Sequence, residues 1–185
     1  MTGRRPGAPI RGLTVDRARV DVGRWPYTLP AVAHVVEHGL SLDPGVTVLV
    51  GANGSGKSTI IEALAAVWAR RVTAFRSDFA QQALGQPSAE DSDLHTALRL
   101  HYTPGGPTGG LFVRAERLHS QAPTLTPPSG RGRWAERLGG HPVLSRSHGE
   151  GFLDVLAGMA AEPGLYVLDE PESALSFDSS LGCSP

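Results

Sequence analysis

The chain has 185 residues, 40% of them hydrophobic, and a formal net charge of −1. That length is expected to form one domain with a sizeable core, and the near-neutral charge supplies no global field toward nucleic acid or membrane. There is no run of about 18 apolar residues to span a bilayer, and the lone cysteine, Cys183, leaves no internal disulfide and fits a reducing, cytoplasmic setting.

Residues 1–12 are rich in Gly, Pro and Arg and are expected to be a loose terminus. Arg4 and Arg5 could begin a signal segment, but Arg11 and Asp16 interrupt any apolar stretch behind them. Alternation of apolar and polar residues from Leu13 to Val22 predicts an edge strand. The cluster Trp25-Pro26-Tyr27 follows, and then His34-Val35-Val36-Glu37-His38, which matches the zinc-peptidase pattern H-x-x-E-H. Held between Pro30 and Gly39, that segment reads as too short for the helix such a site needs, with no further ligand evident. It is taken as a chance match.

Val46 to Thr59, VTVLVGANGSGKST, organises the chain. Val46 to Val50 read as a strand buried on both faces. The glycines and the Lys-Ser-Thr opening of a helix then complete the phosphate-loop pattern G-x-x-x-x-G-K-[ST]. Glycine lets successive backbone N–H groups turn in on a phosphate, and the helix N-terminus adds partial positive charge. Gly51, Ala52, Asn53, Gly54, Ser55, Gly56, Lys57, Ser58 and Thr59 are therefore candidate nucleotide-binding residues. Lys57 would reach the β- and γ-phosphates and Ser58 would hold Mg²⁺. Among 17 Lys+Arg residues Lys57 is the single lysine, and Asn53 is the single asparagine. No guanine-reading N-K-x-D element can be assembled elsewhere, so ATP is favoured over GTP. Trp25 or Tyr27 is a candidate to stack on adenine, the alternative being a surface or core aromatic.

Beyond the loop, Ile60, Ile61, Leu64, Val67 and Trp68 recur at helical spacing up to Arg70-Arg71 and predict a helix packed on a sheet. Related ATPases place a Mg²⁺-sensing glutamine in the middle region, which makes Gln81 and Gln82 candidates, although their setting, FAQQALG, looks more like a helix. Segments His95–Tyr102 and Leu111–Arg117, joined by TPGGPTGG, predict a β-hairpin. Arg131, Arg133 and Trp134 lie in a Pro/Gly-rich loop and make at most a weak nucleic-acid patch.

Leu165 to Leu168 predict a short buried strand that ends in Asp169-Glu170. Asp169 would join the Mg²⁺ shell, and Glu170 would orient and deprotonate the attacking water. Upstream, Ser147-His148-Gly149-Glu150-Gly151 precedes an apolar-periodic run. S-x-x-E there is a capping box, which is compatible with an anion site at the same helix end.

Together GANGSGKST, SHGEG and LDEPESALS resemble the ATP-binding-cassette type of ATPase, most closely the soluble branch related to RecF and SMC proteins, the "AAA family ATPases". The resemblance runs from about Trp25 to Ser176. It implies an α/β P-loop NTPase fold, a cassette-like head with a mainly parallel sheet plus the β-hairpin, acting on ATP with Mg²⁺. On this resemblance Ser147, Gly149 and Glu150 belong to a signature motif that touches the γ-phosphate held by the other subunit of a homodimer. Glu170 is the catalytic base, and Ser173 to Ser176 form a loop crossing the dimer interface. SHGEG in place of the transporter signature argues against a membrane partner. The spacing from Lys57 to Ser147 leaves no room for a long coiled-coil arm.

The alternatives are a transporter's ATP-binding subunit, a P-loop kinase, and an ATP-binding module without turnover. Relatives of this kind continue past the DE strand with a helix and a central strand ending in a switch histidine. Here FDSSLGCSP follows Ser176 and no histidine follows Glu170. The resemblance thus leads to the expectation of a truncated head lacking its switch strand, with 177–185 a divergent tail.

Overall fold

The computed structural model describes residues 8–74, 92–107, 109–114 and 163–171. These residues fall into two units, 8–74 with 92–107 and 109–114 with 163–171. Each unit is described by itself.

The first unit is built on a three-stranded antiparallel sheet. Strand β1 (Ile10–Val15) lies at its centre between β2 (Leu40–Ser41) and β3 (Leu98–Tyr102). A register irregularity between Ile10 and Gly12 resets the alternation, so Ile10, Leu13 and Val15 are all buried. They share the core with Leu98 and Leu100 of β3. Arg11, Thr14, Arg99 and His101 are exposed, and the Thr14 hydroxyl lies 3.0 Å from His101 Nε2. The strand therefore begins inside the stretch expected to be loose and is central rather than an edge. It stops at Val15 because Asp16 accepts the Ala18 N–H through its side chain, turning the chain into a short 3-10 turn, Arg17–Arg19.

Helix α1 (Pro30–His38) starts where a proline can start a helix. Leu29 is extended, as the residue before proline prefers, and Pro30 has no N–H to leave unpaired. Nine residues with three valines make a weak helix in isolation. Burial of Val32 and Val35, one turn apart, is what holds it. Helix α2 (Lys57–Ala74) confirms the predicted periodicity, with Ile60, Leu64 and Trp68 buried along one face. Full burial of each such side chain stabilises by about 1.5–3 kcal/mol. The helix packs against α1, β3 and the short helix α3 (Leu94–Ala97).

In the second unit β4 (Gly110–Arg114) runs parallel to β5 (Leu165–Asp169), in register from Gly110 opposite Leu165 to Arg114 opposite Asp169. The Gly109 carbonyl accepts the Leu165 N–H at 3.0 Å and starts the ladder.

Two expectations about the sheet are corrected. Among the described residues the expected β-hairpin pairing is not present: β3 pairs with β1, whose buried alternation matches its own, and β4 pairs with β5. Neither is the sheet mainly parallel among the described residues, where a three-stranded antiparallel sheet accompanies one parallel pair. Val46–Val50 belongs to no strand, and Val46, Val48 and Val50 are 93%, 72% and 90% exposed. An apolar run becomes a strand only when neighbours satisfy its N–H and C=O groups, and no ladder among the described residues reaches this run.

Candidate nucleotide-binding site

The loop from Gly51 to Gly56 turns the chain into α2 through two residues with positive φ, Gly54 at 74° and Gly56 at 100°. Both angles lie where side chains other than glycine's are strained. Gly51 to Gly54 are exposed, Ser55 is half-buried and Gly56 is buried. The Ser55 N–H donates to the Ala52 carbonyl at 3.2 Å, and the Ile60 N–H reaches the Gly56 carbonyl at 3.1 Å as the helix begins. Ser55 Oγ is buried without a hydrogen-bond partner.

Lys57 is the first residue of α2, and its ammonium folds back over the loop. Its Nζ donates to the carbonyls of Gly51 at 2.7 Å and Ala52 at 2.9 Å. The single lysine of the chain thus sits where the helix N-terminus already concentrates partial positive charge. Ser58 and Thr59 follow in the first turn, both half-buried.

A buttress for this loop was not visible in the sequence. The Ala31 N–H, unpaired within α1, donates to the Ser55 carbonyl at 2.9 Å. Gly56 lies so close to α1 that a Cβ built on it would stand 3.0 Å from Leu29 Cβ and 3.1 Å from Val32 Cγ2. Sequence spacing could not show this contact, because the stretch between Pro30 and Gly39 read as too short for a helix.

The two aromatic candidates separate. Tyr27 is 2% exposed and belongs to the core, whereas Trp25 is 53% exposed. Burial pushes the Tyr27 hydroxyl above its usual range, and the neighbouring Asp93 carboxylate adds to this while Arg24 opposes it. Asp93 also takes an ion pair from Arg24, yet its Oδ1 and the Tyr27 hydroxyl lie outside hydrogen-bond geometry.

In the second unit β5 delivers Asp169 and Glu170 as its pattern predicted. Asp169 is 5% exposed, and its Oδ2 accepts from Arg114 Nε at 3.2 Å. Sequence reasoning missed Arg114 as the partner of Asp169, because only the parallel register reveals the pair. Glu170 is exposed, with φ at 50°, the one non-glycine residue with positive φ among those described. Strain of this kind costs of order 1–3 kcal/mol and concentrates at functional positions.

The segment His34–His38 is helical, contrary to the expectation that it was too short, and it closes α1. Among the described residues no group of three His, Cys, Asp or Glu side chains could hold a metal ion. There, too, no helix is long and apolar enough to cross a membrane. Ser147, Gly149, Glu150, Gln81, Gln82, Arg131, Arg133, Trp134 and 173–176 lie outside the described residues.

Residues 35–97 match the family model described as an AAA domain. The matched stretch contains the whole phosphate loop and all of α2, and it supports a nucleotide-binding ATPase of the AAA-type P-loop class. No curated protein and no solved structure matches the chain.

Proposed function

We propose that this chain binds Mg-ATP at the phosphate loop and hydrolyses it as a soluble, cytoplasmic ATPase of the RecF-related, cassette-like branch. The observation that carries the reading is the loop itself. Two positive-φ glycines lead into α2, and the only lysine of the chain lies folded back on the Gly51 and Ala52 carbonyls at the start of the loop. Lys57 leaves the Gly51 and Ala52 carbonyls for the β- and γ-phosphates, exchanging neutral acceptors for charged ones. Backbone N–H groups from Gly51 to Lys57 enclose the phosphates, and exposed Trp25 is the aromatic available to adenine.

Ser58 and Asp169 offer hard oxygen donors of the kind Mg²⁺ takes, and the bound ion would neutralise phosphate charge. Glu170 takes a proton from the attacking water, held at the strand end by its left-handed backbone. On the same reading Ser147, Gly149 and Glu150 complete the site across a homodimer. SHGEG and the DEPESALS stretch favour this over a transporter subunit or a P-loop kinase.

The test separates binding from turnover. Glu170→Gln should keep ATP affinity within about threefold and lose at least about 100-fold in turnover, the scale of general-base catalysis. Equal turnover in the two proteins would remove Glu170 from the mechanism. ATP binding with no turnover in the unaltered chain would favour the ATP-binding module.

A further inference from the structure

Helix α1 carries two imidazoles that the nucleotide reading does not use. We propose that His34 and His38 form a bidentate site for a borderline divalent transition-metal ion such as Zn²⁺ or Ni²⁺, distinct from the magnesium of the nucleotide. Because Pro30–His38 is helical, the four-residue spacing puts both side chains on one face, one turn apart.

The ring separation leaves room for a shared ion. A nitrogen ligand sits about 2.1 Å from Zn²⁺, which places each ring centroid about 3.2 Å from the metal. The two centroids are 4.7 Å apart, with the ring planes tilted by 53°. Two ligands at that separation subtend about 95° at the ion, close to the angle between neighbouring ligands of a tetrahedral or octahedral centre. Both residues are exposed, so water can fill the remaining positions.

The surroundings bear on the charge. The Glu37 carboxylate lies 3.5 Å from His38 Nε2, and the helix ends at Gly39, where its partial negative charge favours a cation. Arg17 brings an opposing positive charge. Its guanidinium donates to the carbonyls of Val36 at 3.1 Å and Glu37 at 3.0 Å, which also fixes the turn that carries His38. Imidazole nitrogens select Zn²⁺, Ni²⁺ or Cu²⁺ and leave hard Mg²⁺ and Ca²⁺ to oxygen sites. Among the described residues no group of three metal-ligating side chains is assembled, so the proposed site rests on the two imidazoles alone.

Calorimetric titration of the full chain with zinc chloride, in buffer containing excess Mg²⁺, tests the site. One site should appear, and His34→Gln and His38→Gln should each weaken it at least about tenfold, since two ligands on one rigid turn act as a linked pair. Lys57→Ala should leave it unchanged, which separates this proposal from the nucleotide reading. Zinc isotherms that match the unaltered chain in either histidine variant would overturn it. In the unmutated chain, substoichiometric Ni²⁺ should broaden the ring-proton resonances of His34 and His38 before those of the other histidines. Broadening that starts elsewhere would overturn it as well.

Discussion

Arg114 Nε donates to Asp169 Oδ2 at 3.2 Å across the last pair of the parallel β4–β5 register. The side chains are 18% and 7% exposed, so the guanidinium helps make a buried carboxylate tolerable there. Removing it in Arg114→Ala should destabilise the protein by about 3 kcal/mol, the usual cost of leaving a buried charge without its partner. Urea unfolding measures the loss, and Arg114→Lys should recover only part of it because the planar fork is gone. A loss below about 1 kcal/mol would mean that the pair contributes little.

The two glycines of the phosphate loop should respond differently to alanine. At Gly54 a Cβ meets open space, so only the positive φ counts, at about 1–2 kcal/mol. At Gly56 the same strain is joined by overlap with Leu29 and Val32. Gly56→Ala should therefore cost at least about 1 kcal/mol more, since overpacking typically adds 1–3 kcal/mol. It should also push α1 away from the loop and weaken ATP binding. Comparing denaturation midpoints and ATP affinities of the two variants checks both statements.

Val46, Val48 and Val50 mark the limit of what could be read from the chain. Their β-branched run predicted a buried strand, but the pattern describes only one side of a pairing and cannot provide the neighbour. Helix α2 was legible because its apolar face is recorded in the spacing of Ile60, Leu64 and Trp68 alone. The glycine turn into α2 and the strand that ends at Asp169 were legible for a similar reason, since both are recorded in the local run of residue types. Arg114 opposite Asp169 and Ala31 on Ser55 were not, because both depend on contacts between segments distant in sequence. With Val48 72% exposed, Val48→Thr should change stability by less than about 0.5 kcal/mol. A loss above about 1.5 kcal/mol would place the run inside a sheet.

Stability should fall at alkaline pH through two tyrosines. Burial raises the pKa of Tyr27 and, opposed by Arg71, that of Tyr102 above the ordinary 10.0. Each hydroxyl holds its proton more tightly when folded. Its contribution is complete below the ordinary value and is lost as pH rises through the folded one. Denaturation midpoints at about pH 9 and pH 11 should therefore differ less in the Tyr27→Phe, Tyr102→Phe double variant. An unchanged difference would assign the alkaline loss to other groups.

The central claim is that Lys57 and its loop hold the phosphates of ATP, and calorimetry of Lys57→Ala tests it most directly. No second lysine exists to replace that charge. The account predicts a loss of at least about 2 kcal/mol in ATP binding, the scale of a charge-assisted hydrogen bond, with the fold retained. Unchanged ATP affinity in a folded Lys57→Ala protein would contradict it.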